Sequence, residues 1–217
     1  MKVFIKADNK LDESTCEMFF REAGYDVIPN SNAAEVIVFS STGRLDSKIY
    51  GVLDENRNNV SKGETMRTMV ELLTFSTNCG DKKFIGFDKS ALLLAKLSNA
   101  EIIHHVYDHY NNHFIRFNDA NNSQIMVESR HSQMIYPYRM DPTEYDVIAT
   151  TNPSVSSGRY RRDAKLNDFI PKAHPFREPE IVYFPRTKAL CIMPRAFASV
   201  SKVNKEFIKS TIRDYLK

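Results

Sequence analysis

The run Gly86-Phe87-Asp88-Lys89-Ser90 joins an apolar stretch at 83–87 to a second periodic stretch at 90–97. A strand turning this sharply into a helix outlines a nucleophile elbow, whose central residue sits on a tight, strained turn above the sheet edge. The helix start behind it offers free N–H groups and the positive end of the dipole, which favour an anion. Here the central residue is Asp88, which can serve as a base or an oxygen nucleophile but supplies no thiolate. A second concentration is of histidine. His104, His105, His109 and His113 are four of the six in the chain and fall within ten residues. Imidazoles at that density can bind zinc. No cysteine accompanies them, and Asn111 and Asn112 break any single helical face, so no metal is assigned and polar packing is expected. A third concentration is basic. Between 152 and 179, Arg159, Arg161, Arg162, Lys165, Lys172 and Arg177 stand against Asp163, Asp168 and Glu178, an excess of 6 − 3 = +3. This segment reads as a polar, irregular loop, or as a lid or anion-binding patch over a site.

The elements that must carry these groups alternate. Residues 3–6 form a short strand, and Asp12 or Ser14 can cap a helix that ends near Gly24, with Cys16, Phe19 and Phe20 on one face. Residues 26–29 and 35–39 are compact β-branched runs that suit strands covered on both faces. Ser61 and Glu64 make a capping-box start, and Met66, Met69, Val70, Leu72 and Leu73 give that helix an apolar stripe. Further strands are expected at 101–104, 114–117, 125–127, 146–150, 180–184 and 189–193. The last helix carries Val203, Phe207, Ile208, Ile212, Tyr215 and Leu216 on one face. Strands alternating with helices predict a mostly parallel sheet with crossovers. One domain spanning 1–217 is the expectation, with no internal repeat.

Composition bounds the rest. The chain has 217 residues, 42% hydrophobic and 26% charged, with 30 basic against 27 acidic side chains. That balance suits a globular protein and excludes wholesale disorder. A charge of +3 does not by itself imply nucleic acid. No apolar run is long enough to span a bilayer, and the N-terminus lacks a secretory apolar core. Three scattered cysteines, Cys16, Cys79 and Cys191, make neither a disulfide framework nor a zinc knuckle. Cys79 and Cys191 read as buried, inert thiols. A reduced, cytoplasmic setting is expected, without a membrane partner. No glycine-rich phosphate cradle is present, so no nucleotide or other cofactor is implied.

Five ordered segments carry a resemblance. FSSTGRLDSKIYG at 39–51 looks like an oxyanion loop, normally Gly-Gly-x-Asp followed by Leu-Tyr-Gly. IGFDKSAL at 85–92 looks like a Gly-x-Cys-x-Gly elbow. His105-Val106, His109 and His113 echo a His-Val-x-x-His-x-x-x-His stretch. ESRHSQM at 128–134 looks like Ser-x-His-His-Gln-Met, and EIVYFPRTKALCIMPRAF at 180–197 parallels the strand pair that ends in Gly-x-His-Pro-Glu. The chain thus resembles class I glutamine amidotransferases, especially the γ-glutamyl hydrolase-like peptidase branch. The resemblance implies a flavodoxin-like α/β three-layer sandwich with a mostly parallel central sheet.

The same alignment removes the usual chemistry. The family's Cys, His and Glu fall on Asp88, Arg195 and Phe197. Arg is no general base near neutral pH, and Phe orients nothing. The loop glycines fall on Ser41 and Thr42, followed by Gly43, with Arg44 where the Asp belongs. The resemblance therefore implies a pseudoenzyme acting through a protein partner or a small anionic ligand, compatible with homo- or hetero-oligomers. Ser41, Thr42, Gly43, Arg44, Lys89, Arg130, His131 and Gln133 are its candidate pocket residues. Asp88 and Arg195 are expected to form a charge-assisted pair in the vacated site. The alternative is an amidotransferase or γ-glutamyl hydrolase-type enzyme with a rewired site that uses Asp88 and Arg195. A third reading gives the 152–179 segment to nucleic acid, with Tyr160 and Phe169 as a thin aromatic platform. Sequences of this form occur in bacteria and in large bacterial viruses, so a viral chain would work in the host cytoplasm.

Overall fold

A computed structural model of the chain describes residues 1–46, 49, 62–109, 112–128, 131–151, 160–161, 169–170, 178–195, 197, 199 and 201–217. Its first strand, β1 (Lys2–Ala7), alternates buried Val3 and Ile5 with less buried neighbours. Helix α1 (Lys10–Glu22) follows and then β2 (Asp26–Val27). Asn9 caps α1, rather than Asp12 or Ser14: its side chain accepts from the N–H groups of Leu11 and Asp12. Strand β3 (Val36–Ser41) is buried along its whole length. Val36 and Val38 join one core cluster and Ile37 and Phe39 the other, as the two-residue period of a strand requires.

Helix α2 (Lys62–Asn78), β4 (Lys83–Asp88) and α3 (Lys89–Leu97) complete the first half. The second half is strand-rich: β5 (Glu101–His109), β6 (Asn112–Phe117), β7 (Gln124–Glu128), β8 (His131–Tyr136), β9 (Asp146–Thr151), β10 (Tyr160–Arg161), β11 (Phe169–Ile170), β12 (Pro179–Phe184) and β13 (Ala189–Ile192). Helix α4 (Lys202–Tyr215) ends the chain.

Nine strands form one sheet in the order β2-β1-β3-β4-β13-β12-β9-β6-β7. The pairs from β2 to β13 are parallel, and those from β13 to β7 are antiparallel. Only β12 and β6 run against the others, so the sheet is mixed but mostly parallel. Helices α1 and α4 close one face, where Cys16, Phe19, Phe20, Ile208 and Ile212 meet Val36, Ile85 and Phe87. Helix α3 closes the other with Ala91–Ala95, joined by Phe75 of α2. This is the α/β sandwich that the sequence implies. A second, antiparallel sheet, β11-β10-β5-β8, stands beside it.

Three expectations fail in instructive ways. The 152–179 segment is not wholly irregular, because Tyr160–Arg161 and Phe169–Ile170 pair as strands; most of the rest lies outside the described residues. Cys79 is exposed, whereas Cys191 is buried. The stripe of α2 does not face the core. Met66, Met69, Val70 and Leu73 are 65%, 49%, 45% and 68% exposed, while Thr68, Glu71 and Phe75 are buried. The reason is a polar demand beneath the helix: Glu71 accepts hydrogen bonds from the buried hydroxyl of Ser90 at 3.1 and 3.2 Å. Val203 at the start of α4 is likewise exposed.

Candidate functional site

The elbow exists and is strained. Asp88 has φ 53° and ψ −120°, a conformation that costs a non-glycine residue about 1–3 kcal/mol. Two residues earlier, Gly86 lets the strand pass close beneath the helix. A Cβ there would lie 2.7 Å from the carbonyl oxygen of Ser90 and 2.8 Å from the nitrogen of Ala91. At the second glycine position of the elbow, Ser90 is fully buried and its Oγ lies 2.5 Å from Ser41 Oγ. Ser90 thus bolts the end of β3 to the start of α3 and, through Glu71, to α2. Burial pushes the Glu71 carboxyl up to about 7, against the pull of Lys89 and the two serines.

Asp88 is only 5% exposed, and its Oδ1 is buried without a hydrogen-bond partner. Burial raises its carboxyl to about 7, opposed first by His131, then by Arg195 and Lys89. The expected Asp88–Arg195 pair is not formed. Arg195 instead places Nη2 2.5 Å from Oδ1 of Asp12 in the first turn of α1, with its guanidinium 5.6 Å from the Phe197 ring. The nearer acid wins: Asp12 stays partly exposed, so pairing there leaves less charge buried than at Asp88. Phe197 is fully buried and packs edge-on against Phe87 with centroids 5.1 Å apart. The two positions that the resemblance gives to a base and its orienting carboxylate thus brace α1 and fill the core.

An imidazole does approach the elbow, from β8. His131 is buried, lies 3.7 Å from Oε2 of Glu180 on β12, and is held in its charged form by Glu180 and then Asp88, against burial. The other oxygen of Glu180 meets Nε2 of His113 on β6 at 3.2 Å. Glu180 is fully buried, yet the two imidazoles hold its carboxyl down at about 2 against the effect of burial. Among the four clustered histidines, His113 therefore has a carboxylate partner. The side chains of His104, His105 and His109 lie outside the described residues. Among the described residues no group of three or more potential ligands could hold a metal.

The remaining candidates divide. Gln133 clamps the chain after the oxyanion-like loop: Leu45 N–H donates to its Oε1 at 2.8 Å, and its Nε2 donates to Leu45 O at 3.0 Å. Thr42 N–H donates to Oδ2 of Asp8, just past β1, at 2.9 Å, and Gly43 takes φ 100°. Lys89 is 1% exposed with its Nζ 3.9 Å from the same Asp8 oxygen and no hydrogen bond. Arg44 is engaged elsewhere, and Arg130 lies outside the described residues. Sequence reading missed Asp8, Asp12, Glu71 and Glu180. The available signal for Glu180 was a charged residue opening the apolar strand EIVYF. A cavity of about 980 Å³ opens between β9 and α4, but none of these residues line it.

Sheet order, elbow and elbow-side helices together define a class I glutamine amidotransferase-like fold. The chain is similar in structure to a putative GMP synthase glutaminase-type component from Thermoplasma acidophilum, with TM-score 0.59 and 12% identity over 99% of this chain and 96% of that one. It is similar also to a glutamine amidotransferase from Thermotoga maritima, with TM-score 0.57 and 10% identity over 100% and 97%. PurLQS from the same organism gives TM-score 0.59 and 11% identity over 100% and 98%. The sequence matches no family model and no curated protein. Identities this low concern the fold alone.

Proposed function

We propose that this is a glutamine amidotransferase-like protein, of the γ-glutamyl hydrolase-like branch, that has given up amide hydrolysis and works by recognition of a protein partner or a small anionic ligand. One observation carries the reading. The elbow keeps the backbone that a nucleophile needs, at φ 53° and ψ −120°, while Arg195 and Phe197 are committed to Asp12 and Phe87. Without a thiolate and a base beside it, a glutamine amide has no attacking group. The apolar outer face of α2 gives a recognition role a surface to act through. Purified protein, assayed with glutamine and γ-glutamyl peptides, should release no ammonia or glutamate above the blank. Turnover that Asp88→Ala abolishes would overturn the reading.

A second reading is favoured by the position of His131. Asp88, His131 and Glu180 follow the order of elbow residue, imidazole and orienting carboxylate, so a rewired enzyme would use His131 where Arg195 was expected. It requires turnover lost in both Asp88→Ala and His131→Gln. Turnover lost in only one would leave the three without a shared role.

A further inference from the structure

A helix on the surface of an α/β sandwich normally buries its apolar stripe and shows its polar side to water. Helix α2 does the reverse. Its buried positions include Thr68 and Glu71, and its outer positions are Met66, Met69, Val70 and Leu73, at i, i+3, i+4 and i+7. Between Met66 and Thr77 the one exposed charged residue is Arg67, and Asp8 holds it at 3.1 Å. Interface centres show this depletion of charge and this preference for methionine.

We propose that this face docks a second copy of the chain, with the two α2 helices packed antiparallel about a two-fold axis passing between Met69 and Val70. The spacing is what commits the face to itself. Positions 66, 69, 70 and 73 are symmetric about their midpoint. Reversing the helix therefore lays Met66 on Leu73 of the other copy and Met69 on Val70, an isologous and self-closing contact. Charge agrees with this direction. A parallel pairing sets Arg67 beside Arg67, whereas the antiparallel one separates the two guanidinium groups and leaves each on its own Asp8.

Shape agrees too. Beside the stripe lies a groove of about 180 Å³ lined by Ala7, Asp8, Met66, Arg67, Val70 and Glu71, among others, with room for an aliphatic side chain of the second copy. The stripe is a patch of a few hundred Å², beyond ordinary surface. Two such patches bury about half of the ~1,600 Å² of a standard interface, so the dimer forms at micromolar rather than nanomolar concentration. This inference does not depend on whether the elbow is silent.

Sedimentation of the full chain under reducing conditions, which keep exposed Cys79 from cross-linking, tests it. At about 100 µM the protein should be mostly dimer and should dissociate on dilution. Leu73→Glu and Met66→Lys should each give monomer with an unchanged circular dichroism spectrum, since both side chains are exposed. The double variant Met66→Lys/Leu73→Glu should dimerise again, because only antiparallel packing brings each lysine onto a glutamate of the other copy. A monomer at that concentration overturns the proposal, even if the stripe binds some other protein. So does a dimer that Leu73→Glu leaves intact, or a double variant that stays monomeric.

Discussion

Replacing Asp88 by Asn tests how the elbow carboxylate is held. In the unfolded chain the carboxyl loses its proton near 3.8, whereas in the folded protein burial keeps it on until about 7. Between those values the folded state binds more protons, so its stability falls as pH rises. At about 1.4 kcal/mol per pH unit the loss reaches about 4 kcal/mol above pH 7. It is absent below the unfolded value. Asn has nearly the same shape, tolerates a positive φ and does not titrate. The variant should therefore match the wild type near pH 4 and exceed it by about 2–4 kcal/mol at pH 8.5. Guanidinium unfolding of both proteins across this range measures the difference, and contributions from Glu71 and Glu180 cancel in the comparison. Curves that stay parallel would refute the buried, unpartnered carboxylate. A variant less stable than wild type at high pH would restore the Asp88–Arg195 pair.

Two further substitutions probe the supports of the site. Gly86→Ala forces a Cβ against the backbone of Ser90 and Ala91, and should cost about 2 kcal/mol or more, lowering the melting temperature by about 4–8 °C. An unchanged melting temperature would mean that the helix can lift off the strand. Glu180→Gln leaves His113 and His131 without their shared carboxylate, and should cost about 3–5 kcal/mol at neutral pH. Because Glu180 titrates near 2 rather than 4.5, its contribution is present above pH 4.5 and fades as pH falls toward 2. The deficit of the variant should shrink accordingly in acid unfolding measurements, and a deficit constant with pH would contradict the clasp.

Local signals read well from sequence, and non-local pairings did not. The elbow was legible because Gly86, Asp88 and the change from strand to helix period are neighbours in the chain, and the structure puts Asp88 at φ 53°. Strand positions followed from β-branched runs, to within a few residues. The orientation of α2 was not legible, since its stripe has the right period for a core, and only the buried Ser90 and Ser41 beneath it decide which face turns inward. Arg195 was matched to the wrong acid for a similar reason. Asp12 is 183 positions away, and nothing in its helix marks it as a partner. His113 and Glu180 are 67 positions apart and meet only because β6 and β12 both flank β9. The histidines drew attention as a group, but which one gains a carboxylate is a property of sheet order.

Glu180 grips an imidazole from its own sheet and another from the neighbouring sheet. Prying the sheets apart would strand an ionised carboxylate in an apolar interior, at a cost of several kcal/mol. The smaller sheet is therefore riveted to the larger one at the level of the elbow, and amide hydrogens of β8 and β12 should exchange in a single cooperative opening.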